Sequence, residues 1–164
     1  MRAWVCARHL AGMAAAAGLA ACEQPAWLTG RDPLPPLAPW ADALVGRPLT
    51  EVFAPAPAGA CSGNVDQVEQ RYGGQRPGAR ISGWGWDAAA KAPLARIVVT
   101  GPDGRISGGG ESGRERNDVP EARPEVTSRT TGWTALTRTS EGEAQAYGVL
   151  ADGRRACHLA GVAL

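Results

Sequence analysis

The sequence predicts an all-β fold, a small antiparallel β-sandwich or partial barrel that follows a signal peptide and a proline-rich tether. The first observation is composition: 22 glycines and 13 prolines among 164 residues disfavour long helices. The second is that short apolar runs of strand length, separated by turn signals, follow Gly59. The third is that two of those turns are strong hairpin signals. Six or so strands at this spacing are typical of a sandwich or barrel.

Residues 1–21 are predicted to be a signal peptide. Arg2, Arg8 and His9 give a positive start, and residues 10–21, LAGMAAAAGLAA, form an uncharged apolar run. Such a run has the length of a signal-peptide core and is too short to span a bilayer comfortably. We therefore expect the mature protein to leave the cytoplasm.

The run ends in Leu19-Ala20-Ala21-Cys22, which resembles the lipobox of bacterial lipoproteins. This resemblance implies cleavage before Cys22 and attachment of a diacylglyceryl group to its sulfur. Two or three acyl chains would anchor the protein stably in a membrane. Glu23 follows, where lipoproteins of the inner membrane often have Asp, so the resemblance favours the periplasmic face of the outer membrane over that of the inner one. The alternative is an ordinary signal peptide cleaved near residues 15–17, with Cys22 free or paired.

Residues 22–58 are predicted to be a tether. Their eight prolines fix φ and remove backbone donors too often for a regular sheet or a long helix; they are Pro25, Pro33, Pro35, Pro36, Pro39, Pro48, Pro55 and Pro57. Within the tether we expect a helical turn over 40–45 and a short strand over 49–53. Trp27, Trp40 and Phe53 are expected to dock on the domain.

The domain is predicted to cover residues 59–164. Its apolar runs predict strands over 65–72, 79–86, 94–100, 105–108, 130–139, 145–150 and 156–162. The turn Gly101-Pro102-Asp103-Gly104 predicts a hairpin between the third and fourth of these strands, because proline presets φ and glycine accepts positive φ. Asp152-Gly153 predicts a second hairpin between the last two.

The four cysteines predict one disulfide. Cys6 lies in the signal peptide and Cys22 is the candidate for lipidation, so Cys61 and Cys157 remain, and they should pair in an oxidising compartment. On the chain-entropy model this bond stabilises the fold by about 4 to 5 kcal/mol. Metal ligation by these two cysteines and His158 is the rival interpretation, but it lacks a fourth ligand, and adjacent side chains diverge on a strand. We expect no metal and no other cofactor.

Trp84 and Trp86 lie two residues apart and therefore on one face of a strand, with Asp87 directly after them. Two aromatic side chains on one face could stack on a sugar ring or form part of the core. Core burial is favoured, because large aromatic residues dominate small cores.

The run Ser82-Gly83-Trp84-Gly85-Trp86-Asp87 carries a second resemblance. Together with 96–99, 103–106, 116–119, Gly132-Trp133 and 146–150, it is similar to small β modules found as appendages of bacterial membrane glycosyltransferases and as stand-alone envelope proteins. The resemblance would cover most of residues 60–164. It implies a β module and assigns no activity.

No catalytic machinery is predicted. Residues 108–113 match G-x-G-x-x-G, but the charged and proline-interrupted stretch 114–124 offers no helix after it, so a strand end or bulge is expected instead of a phosphate-binding loop. His158 is the only histidine after the signal peptide, and no serine lies in a nucleophile elbow. A small hydrolase would need an acid/base pair of carboxylates. The candidates, which are expected to be solvated by default, are Asp87, Glu111, Glu115 and Asp118.

The predicted function is a lipid-anchored envelope protein with a non-catalytic β domain that binds or scaffolds a glycan or another protein. Cleavage of the signal peptide leaves 15 basic and 16 acidic residues, a balance that favours no nucleic-acid partner. The alternative is a sugar-binding or small-ligand module. Its ligand surface would combine Trp84, Trp86 and Asp87 with Arg114, Arg116 and Asp118, because arginine forks suit anionic or polyhydroxyl groups.

Overall fold

The computed structural model describes residues 32–164, and in this part of the chain the predicted all-β fold is confirmed. The strands are β1 (Ala54–Pro55), β2 (Cys61–Tyr72), β3 (Gly78–Asp87), β4 (Ala92–Pro93), β5 (Arg96–Thr100), β6 (Ile106–Arg114), β7 (Gly132–Thr137), β8 (Glu143–Val149) and β9 (Arg155–Ala163). The helices are α1 (Pro39–Asp42), α2 (Leu49–Val52) and α3 (Asp118–Ala122). The longest of them has five residues, so none of the described helices could cross a membrane.

The strands form one sheet in the order β1-β9-β8-β5-β6-β7-β3-β2, with β4 added beside β3. All pairs are antiparallel except β1 with β9. A disulfide joins Cys61 of β2 to Cys157 of β9, with 6.4 Å between their Cα atoms. Because β2 is the last strand of the order and β9 is next to the other end, the sheet curls into a partial barrel. The predicted Cys61–Cys157 pairing is present.

Both predicted hairpins are confirmed. Strands β5 and β6 pair on either side of the turn at 101–105, and β8 and β9 pair on either side of the turn at 150–154. Strand β6 extends to Arg114 and includes the whole glycine run, so the G-x-G-x-x-G match lies in a strand. Gly108 and Gly110 are required there, because an added Cβ would lie 1.9 Å from the carbonyl oxygens of Leu136 and Thr134 respectively.

The barrel interior is filled by a few large side chains that pack over small residues of the opposing strands. Its buried members come from β3, β5, β7, β8 and β9 and from the segments after β4 and β8; they are Ala79, Ile81, Leu94, Ile97, Val99, Trp133, Ala135, Ala144, Ala146, Leu150 and Cys157. Trp133 lies over Gly83, and Leu94 over Gly85 and Gly148. The glycines therefore leave the room that the large side chains occupy.

The segment predicted as a tether packs on the outside of the barrel from Leu34 onward. Leu34, Leu37, Ala41 and Phe53 are buried, and the folded unit therefore begins well before residue 59. The predicted helical turn near residue 40 is present as α1. Residues 49–52 form helix α2 where a strand was expected, because their apolar side chains pack with Phe53 on the outer face of β5 and do not join a ladder.

A second outer layer consists of the connection between β6 and β7. Residues 115–131, which we call the flap, contain α3 and cover the outer face of β3. Val119 and Val126 of the flap pack with Trp84 and Trp86. One end of the barrel, which we call the far end, consists of the flap, the loop 88–95 and the turn 150–154. The opposite end, which we call the entry end, consists of the turns 73–77, 101–105 and 138–142. The described chain begins at the entry end, beside Gly73.

Candidate functional site

The two tryptophans of the predicted ligand surface are buried. Trp84 is 9% exposed and Trp86 is 2% exposed, because the flap covers the face of β3 on which both lie. Of the two interpretations, the structure favours burial over an open stacking platform. The small exposed part of Trp84 still borders a groove beside the flap.

Asp87 is also buried, at 3% exposure, and its carboxylate accepts hydrogen bonds from three backbone amides. Oδ1 accepts hydrogen bonds from the amides of Ala89 and Ala90 at 3.0 and 2.9 Å. Oδ2 accepts one from the amide of Ala151 at 3.0 Å. The carboxylate thus ties the loop after β3 to the β8–β9 turn at the far end of the barrel. The Asp87 side chain therefore has a structural role and does not face solvent.

Arg116 lies at the centre of an ion-pair network on the outer surface. Its Nε and Nη2 donate to the two carboxylate oxygens of Asp118 at 2.8 and 2.7 Å, and Nη1 donates to Asp66 at 2.5 Å. The hydrogen bonds to Asp118 raise the pKa of Arg116 further, and the same contact lowers the pKa of Asp118. With its side chain 25% exposed, Arg116 fastens the base of the flap to β2.

Arg114 makes a second ion pair next to the first. Its Nη1 donates to Glu69 and to the hydroxyl of Thr134 at 2.7 Å. Burial raises the pKa of Glu69, but hydrogen bonds from Arg114 and Ser82, together with nearby arginine charge, outweigh that effect and leave the pKa lowered. Both predicted arginines therefore already have carboxylate partners on β2 or in the flap.

Two shallow grooves lie on either side of Arg116. The first, the β2 groove, has a volume of about 320 Å³ and its walls include Asp66, Gln67, Glu69, Ser82, Arg114, Glu115 and Arg116. The second, the tryptophan groove, has a volume of about 330 Å³ and is lined by Gly63, Asn64, Trp84, Arg116, Asp118, Val119, Ala122 and Arg123. Arg116 belongs to both. The two grooves form one continuous polar surface along β2 and the flap.

The sequence predicted part of this surface. Trp84, Arg114, Arg116 and Asp118 were predicted together and the structure brings them together, while Trp86 and Asp87 lie beneath the flap and the loops. The contribution of β2 was missed: Asn64, Asp66 and Glu69. Asn64 pairs with Trp84 in the β2–β3 register, but in the sequence these polar residues are indistinguishable from the solvated side of an ordinary strand.

His158, the third group of the rejected metal interpretation, lies outside these grooves. Its Nε2 is 2.7 Å from Oε1 of Gln145, and its ring meets Tyr147 edge-on with 5.3 Å between centroids. Both rings border a groove of about 460 Å³ beside the proline-rich stretch 54–59. Within residues 32–164, no three metal-binding side chains cluster.

The tryptophan groove lies away from the point where the described chain begins. At the entry end, the amide of Gly73 donates to the carbonyl of Asp32 at 2.9 Å, and that of Leu34 to the carbonyl of Arg76 at 2.8 Å. The tryptophan groove lies at the far end, beside the flap. Cys22, Cys6, Trp27 and the predicted signal peptide fall outside the described residues. Comparison of the chain with protein-family models, with curated proteins and with solved structures finds no match.

Proposed function

We propose that the chain is a lipid-anchored protein of the bacterial cell envelope, with a signal peptide at 1–21 and a lipid on Cys22. Its β domain is non-catalytic and binds or scaffolds another envelope component, a glycan or a protein. The observation that carries this proposal is the placement of the chain entry and the tryptophan groove at opposite ends of the barrel. An anchor upstream of Asp32 would attach the domain by its entry end, the end opposite that groove.

The length of the upstream chain fits such an anchor. Cys22 precedes Asp32 by ten residues, and an extended chain spans at most about 3.6 Å per residue. The domain would therefore stay within about 35 Å of the bilayer surface. The Cys61–Cys157 disulfide supports the same compartment, because structural disulfides persist in oxidising environments such as the periplasm.

The state of the carboxylates supports a binding role over a catalytic one. A glycoside hydrolase of the usual type needs one carboxyl group whose pKa is raised, so that it can act as an acid. In the two grooves Glu69 and Asp118 have lowered pKa values because arginines hydrogen-bond to them. Groups held in their charged form by ion pairs suit a fixed recognition surface.

The second candidate, a sugar-binding or small-ligand module, is favoured by one specific observation. The tryptophan groove is lined by Trp84 together with Asn64, Asp118 and Arg116. An aromatic side chain among a few polar ones is a common lining of small-ligand sites.

The test is fractionation of cells that express the full chain, with Cys22→Ala as the variant and Cys6→Ala as the matched control. We expect wild type and Cys6→Ala in the membrane fraction, and Cys22→Ala released into the soluble fraction or retained with an uncleaved signal. Membrane association of a fully processed Cys22→Ala chain would refute the lipid anchor.

A further inference from the structure

We propose that the β2 groove and the tryptophan groove are two adjoining subsites for an uncharged oligosaccharide, with Arg116 at the boundary between them. This inference deepens the proposed binding function by naming its site and ligand class. It selects a neutral polyhydroxyl ligand over an anionic one.

The charges of the surface disfavour an anion. Its arginines are already engaged: Arg114 with Glu69, Arg116 with Asp66 and Asp118, and Arg123 with Glu125 at 3.6 Å. A phosphate or carboxylate would have to displace one of these partners and would meet the displaced charge beside it. Four carboxylates and three arginines line the two grooves, so the lining has a formal charge of −1.

The same pairs suit hydroxyl groups. A guanidinium has five N–H donors and a carboxylate about four acceptor positions, and Arg116 uses three donors in its bonds to Asp66 and Asp118. A sugar hydroxyl donates and accepts at once, so it can bridge the unused positions of both partners without breaking the pair. Because the ion pairs already fix these side chains, little conformational entropy is lost when a ligand binds.

The two grooves offer different chemistry to a sugar chain. The tryptophan groove has an apolar wall, formed by the small exposed part of Trp84 with Val119 and Ala122, which can contact C–H groups of one sugar ring. The β2 groove is lined mainly by charged and polar groups, with the Ser82 hydroxyl among them. One ring is thus held by its C–H groups and the next by its hydroxyls, and each groove lies at the lower end of the usual volume range for ligand sites.

The test uses the protein purified from the cell envelope and NMR titration of the Trp84 indole N–H, which is assigned with Trp84→Phe. The neutral probes are β-1,4-linked glucose and N-acetylglucosamine oligomers of one to four units, and galacturonate oligomers are the anionic comparison. We expect the indole signal to shift with at least one neutral series, with affinity at least about tenfold higher for two units than for one. Galacturonate oligomers should bind more weakly.

Asn64→Ala and Gln67→Ala remove one polar side chain from each subsite, and Gln70→Ala is the matched control on the same strand outside both. We expect each of the first two to weaken binding by about three- to tenfold and the control to have no effect. The inference is overturned if the folded protein, with its disulfide intact, binds none of the neutral oligomers at millimolar concentration. It is equally overturned if the anionic series binds more tightly.

The lipid anchor and the ligand class can be refuted independently of each other. A protein that binds sugar but is released from membranes irrespective of Cys22 refutes only the lipid, and an anchored protein that binds no neutral sugar refutes only the ligand class.

Discussion

Leu94 occupies the space into which a side chain at position 148 would project: a Cβ added to Gly148 would lie 2.3 Å from Cδ1 of Leu94. Leu94 is fully enclosed in the barrel and also lies against Gly85. The contact shows how so small a barrel packs, since a few large side chains fill the room that glycines leave on opposing strands. It also makes the interior sensitive to a single methyl group.

Gly148→Ala should therefore destabilise the protein by about 1 to 3 kcal/mol, the usual range for overpacking a tight core. Because the three atoms nearest the new methyl group all belong to the Leu94 side chain, shortening that side chain should relieve the clash. In urea unfolding we expect Gly148→Ala/Leu94→Val to be more stable than the sum of the two single changes indicates. Strict additivity, or a neutral Gly148→Ala, would contradict this packing.

Asp87→Ala should cost about 3 kcal/mol, because three backbone amides lose their acceptor. Asp87→Asn should cost less, since its one oxygen can still serve Ala89 and Ala90 while its amide nitrogen faces the Ala151 N–H. Hydrogen exchange separates the two positions: in the Asn variant we expect faster exchange at Ala151 with protection retained at 89 and 90. Unchanged stability in both variants would show that the carboxylate does not tie the far end together.

The disulfide joins β2 to β9 and closes a loop of about 96 residues. Its loss should therefore lower the free energy of unfolding by about 4 to 5 kcal/mol. The double variant Cys61→Ala/Cys157→Ala should show this loss in urea. Reductant should lower the unfolding midpoint of the wild type and leave that of the double variant unchanged. A wild type that is insensitive to reductant would argue against the bond.

Asp152 provides a test of pH dependence. Hydrogen bonds from the amide of Arg154 and from Arg155 lower the pKa of Asp152 to about 2, against about 3.9 in an unfolded chain. Its contribution to stability is thus complete above about pH 4 and is lost as the pH falls through 2. NMR titration of the side chain should give the low pKa, and Arg155→Ala should move it upward. A value near 3.9 in the wild type would contradict the turn geometry.

The sequence predicted the strands and both hairpins because their signals are local. Asp103-Gly104 and Asp152-Gly153 each supply a glycine for the positive φ that tight turns need, and Gly104 and Gly153 have φ values of 73° and 67°. The alternation of residue types along 79–86 predicted β3. Its inward residues pack in the barrel, and its outward tryptophans pack under the flap.

The parts that were not predicted depend on long-range contacts. Leu34 and Leu37 are buried with Tyr72 and Leu136, but a stretch broken by prolines carries no local sign that its few leucines dock on a distant strand. The polar residues of β2 join the site only because β2 pairs with β3 and the flap folds back over both. Neither fact can be read from spacing.

Intact mass spectrometry of the protein from the membrane fraction shows whether Cys22 carries the proposed lipid. We expect a mature chain that begins at Cys22 and carries the mass of a diacylglyceryl group, with or without a further acyl chain. We expect Cys22→Ala to abolish both the processing site and the added mass. A soluble product without lipid, cleaved near residues 15–17, would contradict it and would make a secreted, disulfide-closed binding protein the better interpretation.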